Sequence, residues 1–174
     1  MLDMDLVYKK SQVVVRPAVS QDAEAVRSIR NRAIEHSTAL WTNTPLSEAD
    51  GAAWLAAHLR RGSAFVAEVS GEVVGFAVYG PWRHSDGYRH TVEDSVYVSD
   101  GEHRRGIGSA LLGTLVEAAR HAGHRIVIAD IEAGNTASIT LHERFGFEHV
   151  GTIRDAGTKF GRRLDLTIMR LPLS

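Results

Sequence analysis

Residues Glu93 to Ala119, EDSVYVSDGEHRRGIGSALLGTLVEAA, decide how this chain folds. Val92, Val96 and Val98 recur at alternate positions with Asp94 in the same series and Tyr97 between, so the segment reads as a strand. A polar turn follows, Ser99-Asp100-Gly101-Glu102-His103-Arg104-Arg105, and then Gly106-Ile107-Gly108-Ser109. Apolar residues at Ile107, Ala110, Leu111, Leu115 and Ala118 then mark one face of a helix. Two arginines and two glycines at a helix start suit an anion. The first-turn amides have no intrahelical partners, the helix dipole adds positive character, and glycine lets a phosphate approach the backbone closely. The same residues also describe a plain strand-to-helix turn with solvated arginines. The rest of the chain decides between the two.

Upstream of this stretch, Val13-Val14-Val15 is a β-branched run closed by Arg16-Pro17 and reads as a first strand. Ser20-Gln21-Asp22 offers a cap for a helix carrying Ala23, Val26, Ile29, Arg30, Ala33 and Ile34. The turn formers between Ser37 and Pro45 enclose Leu40 and Trp41, which pack on the core, line a pocket or form part of an interface. Ser47-Glu48-Ala49-Asp50 opens a second helix, with Gly62 just past its end. Ala64 to Val69 and Val73 to Tyr79 form a hairpin about Ser70-Gly71-Glu72, and Trp82 to His90 is a loop rich in ionisable groups. Downstream, Arg125 to Ile131 is an apolar strand, Asn135 caps a short helix over 137–145, and 147–154 and 164–169 are the last strands. This order predicts an α/β (α+β) fold with a mixed, mostly antiparallel sheet of about seven strands flanked by helices.

Composition narrows the possible functions. At 174 residues the chain suits one domain, 12–174, preceded by a loosely tied arm at 1–11. Twenty Lys and Arg against 21 Asp and Glu leave a net charge of −1, which argues against a nucleic-acid partner. Cysteine is absent, which excludes disulfides, thiolate metal sites and a cysteine nucleophile. No apolar run is long enough to cross a membrane, and MLDMDLVYKK lacks the apolar core of a signal peptide, so a cytoplasmic protein is expected. Gly106-x-Gly108 does not continue as a dinucleotide fingerprint, and neither a phosphate-loop lysine motif nor a nucleophile elbow is present. His121-x-x-His124 is read as surface, and no metal is expected.

Three separated motifs give a more specific reading. Val96-Tyr97-Val98 with Arg104-Arg105-Gly106-Ile107-Gly108-Ser109 resembles the acetyl-CoA pyrophosphate motif of the GCN5-related N-acetyltransferases. Asn135-x-x-Ser138 followed by Leu141-His142-Glu143-Arg144-Phe145-Gly146-Phe147 resembles the motif that follows it in that superfamily. Gly80-Pro81-Trp82-Arg83, Thr91-Val92-Glu93-Asp94-Ser95 and Lys159-Phe160-Gly161-Arg162 are similar to signatures of the phosphinothricin and methionine sulfoximine acetyltransferase group. The likeness spans about Val13 to Leu171. His103 departs from it, standing where Gln or Arg is usual, and Arg104 stands where Gly is usual.

The resemblance implies acetyl-CoA as cosubstrate and a sheet whose central strands splay apart. Val96, Tyr97, Val98, Arg104, Arg105, Gly106, Ile107, Gly108, Ser109, Asn135 and Ser138 would hold it. Glu93 would be the general base that takes a proton from the attacking amine, and His142 a second acid or base. Arg83, His84, Ser85, Tyr88, Glu93, Asp94 and Ser95 would form the substrate site. Arg83 and Arg89 suit a carboxylate or phosphinate, and Trp41 and Phe160 would add apolar walls. The implied reaction is direct acetyl transfer to the α-amine of a small amino-acid-like substrate, by a homodimer whose sites are completed across the interface. Rival readings are acetylation of a protein N-terminus, a polyamine or an aminoglycoside, and a silent acyl-CoA-binding sensor.

Overall fold

Segments rich in Val, Ile and Phe form seven strands that hydrogen-bond into one sheet in the computed structural model, which describes residues 12–103 and 105–173. The strands are β1 (Val13–Pro17), β2 (Ala64–Val69), β3 (Glu72–Pro81), β4 (Thr91–Val98), β5 (Ile126–Glu132), β6 (Glu148–Lys159) and β7 (Arg162–Pro172). The helices are α1 (Ala23–His36), α2 (Glu48–Leu59), α3 (Ile107–His121) and α4 (Thr136–Arg144). The sheet order is β1-β2-β3-β4-β5-β7-β6, and every neighbouring pair is antiparallel except β4–β5. This is the mixed α/β fold expected from the element order. The expected arm at 1–11 and the side chain of Arg104 lie outside the described residues.

Strand alternation puts an apolar cluster on each face of the sheet. On one face, Ile107, Leu111, Leu112, Leu115, Val116 and Ala119 of α3 pack against Phe65, Ala67, Ala77, Val92 and Val127. The buried face of α3 is broader than the expected stripe: Leu112, Val116 and Ala119 are buried, whereas Ala110 and Ala118 sit at its edge. The helix lies across β1 to β4 rather than along one seam, so a wider arc is covered. On the other face, α1 and α2 cover Val66, Phe76 and Val78 with Val26 and Leu55.

The last two strands run longer than their apolar residues predict, to Lys159 and from Arg162. Their outer half is polar, so periodicity stops short of it, yet backbone pairing continues to the turn at Phe160-Gly161. Two irregularities, at His149/Gly151 and Ile153/Gly157, bend this hairpin. The bend brings Gly157 beneath Trp41, and a Cβ there would overlap the indole ring. The Lys159 ammonium donates to the Leu40 carbonyl from a side chain that is almost fully buried. The hairpin thereby fixes the α1–α2 connection, and with it Leu40 and Trp41.

Candidate active site

A helical crossover joins β4 to β5, so the two run parallel. They pair at Thr91↔Ile126, Val92↔Val127 and Glu93↔Ile128, and no further register is formed among the described residues. Beyond Glu93 the strands part and leave a fork in the middle of the sheet. Ser99 donates to the Val74 carbonyl on the β3 side at 2.8 Å. Because backbone groups point to alternate sides along a strand, those of Val96 and Val98 face the open side of the fork. They form a row of unpaired donors and acceptors on which an extended amide-bearing arm could lie as an added strand.

One mouth of the fork is a cradle lined by Val96, Val98, His103, Gly106, Gly108, Ser109, Asn135 and Ser138. Gly106, the residue before α3, has φ 76°, a left-handed conformation that glycine adopts without a Cβ penalty. From there the chain enters the helix with the Ile107, Gly108 and Ser109 amides still free of intrahelical partners, while Ala110 already bonds back to Gly106. Ile107 itself is buried, so its contribution to this rim is main chain. Arg105 is paired with Glu102, and its side chain does not line the cradle. Asn135 caps α4 by accepting from the Ser138 amide at 3.1 Å, which leaves its side-chain amide donors for the cavity. The fit to acetyl-CoA rests on these features: an open strand edge for the pantetheine arm and free helix-start amides for a pyrophosphate.

The other mouth is lined by side chains: Glu93, Ser95 and Tyr97 from β4, Asp130 and Glu132 from β5, Leu40 and Trp41 from the α1–α2 connection, and His142. Burial pushes the Glu93 carboxyl up to about 7, with the negative charges of Asp130 and Asp94 adding to the effect. Burial and the charge of Asp94 also raise Asp130, while Arg83 opposes them. Tyr97 extends this side rather than the cradle. Its ring packs on Phe76 at 5.2 Å, and burial pushes its hydroxyl up to about 12.

Alternation along β4 sends Asp94 to the face opposite Glu93, where it meets α4. Asp94 Oδ2 lies 2.9 Å from His142 Nε2, and the two side chains are 1% and 5% exposed. His142 Nδ1 lies 2.7 Å from the Ser138 carbonyl, and its ring packs edge-on against Phe147. Burial disfavours a charge on His142, but the bond to Asp94, the carboxylate's charge and the Ser138 carbonyl outweigh it and raise the imidazole's pKa.

The expected residues thus separate into two groups. Glu93, Asp94, Ser95, Val96, Tyr97, Asn135, Ser138 and His142 gather around the fork. Arg83, His84, Ser85, Tyr88 and Arg89 instead line a neighbouring cavity with Tyr79 and Thr91. Arg83 is stacked over Trp82 at 4.4 Å and held near Tyr88, and its charge still reaches Asp130. Phe160 sits exposed at the hairpin turn, outside the fork. Sequence reading missed Asp130 and Glu132. Two carboxylates interrupting the apolar run Ile126–Ile131 and its end were the available signal.

The profile of the Acetyltransferase (GNAT) family matches residues 26–147. An L-methionine sulfoximine/L-methionine sulfone acetyltransferase of Pseudomonas paraeruginosa is 45% identical over 161 residues, which cover 91% of this chain and 94% of that one. A phosphinothricin N-acetyltransferase of Streptomyces coelicolor is 36% identical over 168 residues, covering 94% and 98%. The structure of yncA from Salmonella typhimurium with its cofactor acetyl-CoA superposes with a TM-score of 0.92 at 39% identity, covering 94% of this chain and 95% of that one. A forked sheet, a glycine-opened helix at the fork and a match over most of the chain agree: this protein belongs to the GNAT family of acetyltransferases.

Proposed function

We propose that this enzyme transfers acetyl from acetyl-CoA to the α-amine of a small amino-acid-like substrate, with methionine sulfoximine and phosphinothricin as the leading acceptors. The observation that carries the reading is Glu93, half-buried where the strands part and raised to about 7. A carboxylate with that pKa can take a proton from an ammonium near neutral pH. The freed amine attacks the thioester carbonyl, the new N–C bond forms as the C–S bond breaks, and the amine's remaining excess proton leaves as CoA departs as a thiol. Val96, Val98 and Asn135 would hold the pantetheine arm, and the Gly106–Ser109 turn its pyrophosphate. Arg83, whose charge reaches Asp130 from the neighbouring cavity, would pair with the acceptor's anionic end.

A cytoplasmic homodimer built of one domain, 12–174, belongs to the same reading. Edge strand β6 is exposed along nearly its whole length and presents Val150 and Ile153, 59% and 51% exposed, as a second copy would require. One observation favours a second acceptor class: Glu93, Asp94, Asp130 and Glu132 surround the acceptor mouth, a lining that also suits a polyamine. Thiol release from acetyl-CoA, measured with methionine sulfoximine, phosphinothricin, ordinary amino acids and spermidine, tests both. The expected result is release with the first two; release with spermidine alone would move the assignment, and none with any acceptor despite CoA binding would indicate a sensor.

A further inference from the structure

Asp94 lies next to Glu93 in sequence and lines the same mouth, yet its bonding is directed away from an acceptor. Oδ2 is spent on His142 Nε2 at 2.9 Å, and Oδ1 is buried without a partner among the described residues. The imidazole has two ring nitrogens. Nδ1 faces the Ser138 carbonyl at 2.7 Å, an oxygen that can only accept, so Nδ1 carries a hydrogen. Nε2 faces a carboxylate, which when ionised also only accepts. With Asp94 ionised, both nitrogens are satisfied as donors, and an imidazole with two N–H groups is a cation. Phe147 packs against the imidazole at 4.8 Å with the two rings nearly perpendicular.

We propose that Asp94 is a positioning residue for His142, holding its imidazole doubly protonated beside the reacting thioester, and that it makes no contact with the acceptor. This rests on the fork being the site of acetyl transfer. Around it, β4 contributes Glu93 and Asp94, β5 contributes Asp130 and Glu132, and α4 contributes His142, among the described residues the one group lining this mouth that can carry positive charge. Two consequences follow. His142 has no free nitrogen to accept a proton, which leaves Glu93 as the base of the two residues expected from the sequence. A fixed imidazolium also places positive charge where the departing thiolate forms, against the surrounding carboxylates.

Histidine-labelled protein without substrate or CoA tests the pair directly by nitrogen NMR, with His142→Gln identifying the signal among the nine histidines. In the wild type, both His142 nitrogens should keep imidazolium shifts through neutral pH and lose them only well above it. In Asp94→Asn the ring should become neutral at ordinary histidine pH with its hydrogen retained on Nδ1. Turnover should fall about tenfold or more, with the acceptor KM changed by less than about twofold. A neutral His142 in the wild type at neutral pH overturns the proposal. So does an Asp94→Asn enzyme whose acceptor KM rises while its turnover holds, because Asp94 would then be a substrate contact. If Asp94→Asn does not fold, the wild-type titration still decides. The NMR reading is independent of which acceptor supports thiol release, so failure of the substrate assignment and failure of the pair are separable.

Discussion

On the function proposed, the two mouths of the fork would recognise their ligands by different means. The cradle at the start of α3 offers main-chain groups: the open edge of β4 at Val96 and Val98, and the free amides after Gly106. The acceptor mouth offers side chains drawn from β4, β5, α4 and the α1–α2 connection, four of them carboxylates. A backbone cradle works for any sequence that makes the turn and binds a shared cofactor. A side-chain mouth tunes proton affinity and acceptor choice, and each group in it depends on its neighbours. Damage to the first should weaken CoA binding alone, and damage to the second should change chemistry or acceptor affinity alone.

The largest effect expected is at Glu93. Glu93→Gln should lower turnover by about 10²- to 10⁴-fold while the dissociation constant for acetyl-CoA, read by calorimetry, stays put. In the wild type, kcat/KM should rise with pH up to an ionisation at about 7, because the base acts only when deprotonated. A profile flat from pH 5 to 8 would remove Glu93 from the role. Gly108→Val tests the other mouth. A side chain there would crowd Leu141, whose nearest methyl lies 3.3 Å from the Cβ position, and fill the cradle. Acetyl-CoA binding should weaken about tenfold, ~1.4 kcal/mol, with the pH profile unchanged. An altered profile would mean the mouths are not independent.

Gly157→Ala probes how the acceptor mouth is held from a distance. Trp41 must move to admit the methyl, at a cost of about 1–3 kcal/mol. The acceptor KM should rise several-fold and tryptophan fluorescence should shift, while acetyl-CoA affinity holds. An unchanged KM would show that Trp41 does not shape this pocket. The smallest effect concerns stability. Folding raises the Glu93 pKa from 4.5 to about 7, so the folded state binds the extra proton and loses stability as pH rises through that window. Glu93→Gln should therefore melt higher than the wild type at pH 8 and level with it at pH 4. The difference is about 1–2 kcal/mol once partial solvent exposure is discounted. Equal melting at both pH values would mean that the carboxyl is well solvated.

The element order and the glycine-opened turn before α3 were legible because they are written locally. Alternation at Val92 to Val98, the helical stripe from Ile107 and the glycines between them occupy neighbouring positions, and a helix start exposes its amides whatever the rest of the chain does. The outer half of the β6–β7 hairpin was less legible, because its polar residues carry no period and only the pairing with β7 makes them strand.

The sequence by itself determined the class of fold, the glycine-opened turn before the helix and the candidacy of Glu93. Tertiary structure alone decided what surrounds that carboxylate. Asp94 and His142 are 48 positions apart, and the parting of β4 from β5 is what lets α4 bring them together. Asp130 reaches Glu93 through parallel pairing across a helical crossover, and Trp41 through a hairpin more than a hundred residues downstream. Burial and proximity set a pKa, and neither is a property of a residue's place in the chain.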